Sequence, residues 1–288
     1  MKKLITFTQK NILYFVTLLL FIPLAGNGQI HGPEGINMPG QWNGWTNPPS
    51  TAALASEEQA GGDVRLRSMG IPHYHTTIHA ASSGGDITGG TYDFLFTSGS
   101  ADDYYNNKWG DVTVNLEQLQ TYTSAGANNT VTVNNDMWYT VNMEDKGYET
   151  TSAIFMATSA APVSIADVSR QTPSPSSSDE VSISITTSAE PSAEENVYVR
   201  YTTDGWSSSS LEEANFTDGS GTATIPDQTN ATTVEYYVFT TTVSTPTANY
   251  DLYTLRYANN GGSNYSYTVS DDPVLTMTDD GLITEGSE

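Results

Sequence analysis

The sequence predicts an all-β protein made of two tandem β-sandwiches joined by a Pro/Ser linker. Three observations carry that expectation. Apolar side chains recur at every second residue along short runs rich in Val, Ile, Thr and Tyr. Gly, Asn, Asp and Ser clusters separate those runs, the punctuation expected between strands. One segment without apolar residues, Gln171 to Asp179, then divides the chain.

The chain opens Met1-Lys2-Lys3 and continues into an apolar run from Ile12 to Ala25. A positive start followed by an apolar stretch shorter than the roughly 20 residues of a membrane span reads as an export signal. Small residues Gly26-Asn27-Gly28 place its cleavage before Gln29, so residues 1–28 are assigned as a signal peptide. The mature chain is expected to be secreted or held at the cell surface, with no membrane span left after cleavage. The sequence contains no cysteine, which points to a bacterial exported protein stabilised by its core and not by disulfides.

Residues 29–169 form the first predicted sandwich. Its strand signals include Val64-Arg65-Leu66-Arg67, Tyr92-Asp93-Phe94-Leu95-Phe96, Thr130-Val131-Thr132-Val133, Met137-Trp138-Tyr139-Thr140-Val141 and Ile154-Phe155-Met156. Thr51 to Ala60 and Leu116 to Thr123 are the only helical candidates, and both are short. Residues 170–179 read as an extended, solvated linker, because Gln171 to Asp179 holds two prolines and four serines. The second sandwich, 180–270, carries perfect alternation in Val181-Ser182-Ile183-Ser184-Ile185 and in Val197-Tyr198-Val199-Arg200-Tyr201. Val234-Glu235-Tyr236-Tyr237-Val238 and Tyr265-Ser266-Tyr267-Thr268-Val269 complete it. Residues 271–288 turn acidic and are expected to be a flexible tail.

Charge excludes whole classes of partner. Loss of Lys2, Lys3 and Lys10 leaves 7 of the 10 basic residues against 33 acidic ones, a net charge of −26. Such a chain repels phosphate backbones and anionic membranes, so no nucleic-acid role is expected. No phosphate loop, dinucleotide fingerprint or serine nucleophile elbow is present, and no cofactor is predicted. His73 and His75, two apart in His73-Tyr74-His75, share a strand face with His79, a geometry zinc could use, but no H-E-x-x-H motif or cysteine supports it, so an ordinary strand is expected and no metal. Asp102-Asp103, Asp271-Asp272 and Asp279-Asp280 lack the spacing of a calcium loop.

The most informative stretch is Gln41-Trp42-Asn43-Gly44-Trp45. A tight Asn-Gly turn lets one indole face the core while the other presents a flat apolar face suited to stacking on sugar. Met38-Pro39-Gly40-Gln41-Trp42-Asn43-Gly44-Trp45 resembles the opening of starch- and glycogen-binding β-sandwich modules. Gly90-Thr91-Tyr92-Asp93-Phe94-Leu95-Phe96 and Tyr104-Tyr105-Asn106-Asn107-Lys108-Trp109-Gly110 resemble that family's next strand and aromatic loop. The resemblance implies Trp45 with either Tyr105 or Trp109 as a sugar-stacking pair, and Trp42 as the core aromatic. Asp93 stands where some family members carry a sugar-bonding lysine.

In the second half, Val197 to Trp206, Ala223-Thr224-Ile225-Pro226 and Val234 to Phe239 resemble immunoglobulin-like accessory modules of secreted bacterial polysaccharide-degrading and surface proteins. Trp206, closing a Thr-Asp-Gly-Trp turn, is the second-module candidate for ligand contact. Three functions follow as expectations. The first is a non-catalytic carbohydrate-binding protein taking an α-glucan. The second is a cell-surface adhesin or spacer. The third is the accessory front of a secreted amylase-like hydrolase, whose barrel would need about 250 residues of alternating helix and strand.

Overall fold

The computed structural model describes residues 36–47, 49–58, 73–98, 107–144, 150–271, 275–277 and 283–285. The assigned signal peptide, 1–28, and the Val64–Arg67 run lie outside the described residues. What is described is all β, with three short 3-10 turns and every strand pair antiparallel. No helix among the described residues is long and apolar enough to cross a membrane.

Hydrogen bonding in the first half runs round a closed path of eight strands. In order these are Ile36–Asn37, Ala55–Glu58, His73–Ala80, Met137–Glu144, Thr151–Thr158, Gln120–Ser124, Lys108–Gly110 and Phe96–Ser98, which returns to the first. A two-stranded ribbon, Gly90–Phe94 with Asn129–Val133, closes over one side. Alternation decides which side chains fill the interior. Tyr74 and Ile78 turn inward from one strand, Tyr139, Val141 and Met143 from its neighbour, and Phe94, Phe96, Tyr122 and Phe155 complete the core.

The two helical candidates resolve otherwise. Ala52–Leu54 is a 3-10 turn leading straight into the strand Ala55–Glu58, and Gln120–Ser124 is a strand with Tyr122 buried between exposed Thr121 and Thr123. Each candidate is shorter than an isolated helix needs to repay its nucleation cost, so sheet pairing wins.

The second half is a sandwich. One sheet orders Ile165–Arg170, Val181–Thr187, Ser220–Ile225 and Asn215–Thr217. The other orders Ser210–Glu213, Asn196–Thr202, Thr233–Thr241 and Tyr257–Ala258, with Tyr265–Thr268 also pairing along Thr233–Thr241. Val181, Ile183 and Ile185 face Val197, Val199, Val234 and Val238 across its core.

This arrangement corrects the expected 170–179 linker. Ile165–Arg170 pairs with Val181–Thr187, so the Pro/Ser segment is the hairpin loop inside one sheet. Its serines are tied down as well: Ser177 donates from its amide and hydroxyl to Asp271, at 2.7 and 2.9 Å. The same contact removes Asp271 from the expected flexible tail, and Leu275–Met277 pairs with Ile283–Glu285 as a small hairpin.

The two cores are joined by a packed contact. Ile154 and Met156 point outward from the eight-stranded ring and meet Leu252 and Leu255 in a separate apolar cluster. Asn142, fully buried, donates to the carbonyls of Leu252 (2.8 Å) and Thr254 (2.7 Å). Arg256 donates to Thr77 at 3.2 Å, and the Thr242 hydroxyl donates to Glu117. Residues 242–256 therefore form a wedge. Its other side is hydrogen-bonded to the sandwich, through Leu255 N to Thr240 O and Thr240 N to Arg256 O, both 2.8 Å.

Candidate functional site

The Trp42–Trp45 turn is built by main-chain geometry. Gly40 O accepts from Asn43 N (3.1 Å) and Trp45 N (2.9 Å), while the Asn43 side chain accepts from Gly40 N at 3.0 Å. Gly44 (φ 62°) and Trp45 (φ 63°) then both lie in the left-handed region. Glycine adopts it freely, whereas tryptophan holds it at a cost of about 1–2 kcal/mol.

The consequence is that the two indoles separate. Trp42 turns inward: its Nε1 donates to Met38 O at 2.9 Å, and its ring lies 5.5 Å from Tyr92 and 5.2 Å from Phe94. Trp45 is left half-buried, and its ring stacks on no other aromatic ring among the described residues. Both indoles are half-buried, and it is their contacts that differ.

The other expected partners of Trp45 do not join it. Tyr105 lies outside the described residues. Trp109 is 1% exposed, so its face is not offered to solvent. Register is the cause: Trp109 pairs opposite Phe96, and both project into the ring's interior. Asn129 locks that strand end, donating to Trp109 O (3.1 Å) and accepting from Val112 N (3.2 Å). The assignment of Trp109 to a surface stacking pair is corrected on this ground. Asp93, at the position of the family lysine, accepts from Thr130 at 3.0 Å.

Trp206 occupies a turn of the same backbone type. Gly205 (φ 67°) and Trp206 (φ 68°) are both left-handed. Here a carboxylate organises the loop. Asp204 accepts from Thr202 Oγ1 (2.8 Å), Ser208 N (2.9 Å) and Ser208 Oγ (2.6 Å). Those bonds, the Ser208 hydroxyl foremost, pull its carboxyl down to about 2. The Trp206 ring is engaged: Nε1 donates to Glu235 at 2.7 Å, and the ring lies 5.4 Å from Tyr237. The Arg200 guanidinium sits 5.2 Å from Trp206 and 3.8 Å from Tyr250, and donates to the Tyr237 hydroxyl at 3.0 Å. The cation already fills this aromatic cluster.

His79 and Trp138, cross-strand neighbours, stack at 4.2 Å and 9°. Sequence reading singled out neither as a pair, although alternation puts both on the outer face. His75 meets the wedge instead. Burial first, and the nearby Arg256 charge second, lower its pKa to about 4, so it stays neutral. No group of three or more His, Cys, Asp or Glu is placed to hold a metal among the described residues. Burial raises the carboxyls of Glu117 and Glu195, but both are committed to structure: Glu117 accepts from Thr242 of the wedge and from Ala157 N (2.7 Å), and Glu195 from Val163 N (3.2 Å).

No protein-family model matches the chain, and no curated protein or solved structure matches it. Fold and site together define a class: an all-β protein with two cores, an eight-stranded ring and a sandwich. Each core carries a Gly-Trp turn in left-handed geometry.

Proposed function

We propose that this chain is an exported, non-catalytic carbohydrate-binding protein whose ligand is a neutral α-glucan and whose contact residue is Trp45. The observation that supports this reading is the split of the tryptophan pair. Trp42 packs against the core, while Trp45 is held in an unfavourable backbone conformation and its ring meets no aromatic ring among the described residues. An indole that meets no aromatic ring among the described residues suits a sugar ring. The strongly negative chain favours a neutral polysaccharide over an anionic one.

Affinity electrophoresis of the mature chain with and without soluble starch tests this. The expected result is retardation of the parent and free migration of Trp45→Ala. Equal mobility of both, with and without starch, would discard the α-glucan reading. A second reading, a cell-surface spacer or adhesin, is favoured by the burial of Trp109 and by the packed contact between the cores. It predicts that no polysaccharide retards the chain.

A further inference from the structure

Four segments meet at one end of the sandwich: the 171–179 hairpin, the turn after Thr202, the 226–232 connection and the chain as it leaves at Asp271. Between them lies a groove of about 510 Å³, within the range of small-ligand sites. We propose that this groove is a second carbohydrate site, independent of Trp45, that binds a neutral sugar by hydrogen bonds.

Its frame is fixed before any ligand arrives. Ser177 clamps Asp271, and the Asp271 amide donates to Asn230 Oδ1 at 3.1 Å. Thr229 and Thr232 share a hydroxyl contact of 2.9 Å, and Ser270 N reaches Pro175 O at 3.0 Å. Other groups on the lining are left over. The Asp227 carboxylate, the Thr203 hydroxyl and the Asn230 NH₂ make no hydrogen bond to protein among the described residues, and all three residues are exposed. Gln228 uses its NH₂ on Pro226 O at 3.0 Å, leaving its carbonyl oxygen.

The lining chemistry selects the ligand. No apolar side chain faces the groove, which excludes a lipid or aromatic guest. No Lys or Arg lines it and two carboxylates do, which excludes an anion. Asp271 is already engaged by Ser177, leaving Asp227 as the one uncommitted carboxylate, too few charged oxygens for a hard cation. A polyhydroxylated neutral molecule remains, since each sugar hydroxyl can both donate to Asp227 or Gln228 and accept from Asn230 or Thr203. The carboxylate supplies the strongest of these bonds.

The test uses the full mature chain in gels containing soluble starch, xylan, galactomannan or mixed-linkage β-glucan, each run with and without EDTA. Parent, Trp45→Ala, Asp227→Ala/Thr203→Ala and the combined variant are compared. Asp227 and Thr203 hold no part of the frame, so an unchanged melting temperature is expected of the double variant, and its retardation is read relative to its own mobility in plain gels, which the lost Asp227 charge lowers slightly. The expected result is that Trp45→Ala is still retarded by at least one polysaccharide, and that the groove substitutions weaken that retardation about tenfold. If Trp45→Ala abolishes every retardation, the groove proposal is overturned and the Trp45 reading stands. If only the groove substitutions matter, the reverse holds. If no protein is retarded by any polysaccharide, both fall. Retardation that disappears with EDTA would place a cation in the groove and overturn the proposal as well.

Discussion

Asn43-Gly44-Trp45 and Asp204-Gly205-Trp206 share a pair of consecutive left-handed residues, with φ of 62° and 63° in one and 67° and 68° in the other. Their indoles have opposite fates. Trp45 lies in a turn organised by main-chain bonds to Gly40 and meets no aromatic ring among the described residues. Trp206 folds back over its sheet, bonds Glu235 and takes part in a cluster already occupied by Arg200. Local sequence sets the turn, and the neighbouring face decides whether the ring is committed to stability or left available. The apolar and cationic neighbours Tyr237, Tyr250 and Arg200 have no counterpart beside Trp45 among the described residues.

Trp206→Ala should break the contrast most visibly. It removes a half-buried ring, a cation contact and a hydrogen bond, so we expect a loss of about 2–3 kcal/mol in urea unfolding. Gly44→Ala and Gly205→Ala probe what the turns share. Each forces a Cβ into the left-handed region, and losses of about 1 kcal/mol, equal within error, are expected from the same measurement. Trp45→Gly separates the rings from their backbones: relief of strain offsets the lost contact, so stability should stay within about 0.5 kcal/mol of the parent while starch retardation is lost. A drop as large as that of Trp206→Ala would show that Trp45 is a packing residue after all.

The smallest effect concerns acid. Asp204 has its pKa lowered to about 2 in the folded chain, below the ordinary 3.8. Its contribution is therefore fully present above pH 3.8 and disappears as pH falls through about 2. Asp204→Asn should flatten that part of the acid unfolding curve, whereas the first turn, with neutral Asn43, has no such limb to flatten.

Much of the architecture was legible from period alone. Val181 to Ile185 alternates as written and lies with Val181, Ile183 and Ile185 in the sandwich core. The corner at Asn43-Gly44 was legible too, because Asn-Gly specifies a tight turn. Trp109 was not, since its direction depends on register against Phe96, which no local pattern encodes. The Pro/Ser segment misled for a related reason. Composition reports solvation, but whether a solvated loop joins two units or two paired strands is fixed by pairing partners, here across a bulge between Ile165 and Asp167. The contact between the cores left a signal that alternation obscured. Ala153 to Met156 and Tyr236 to Phe239 are unbroken apolar runs, the mark of strands covered on both faces.

The wedge of residues 242–256 has a mechanical meaning. It grips the ring through Asn142 and the Ile154–Met156 face, and it is stitched to the sandwich at Thr240. A pull delivered to one core therefore loads buried hydrogen bonds and an apolar seam, not a slack tether. The ring and the sandwich should tumble in solution as a single particle. A ligand held by one end of the molecule would then fix the heading of the other.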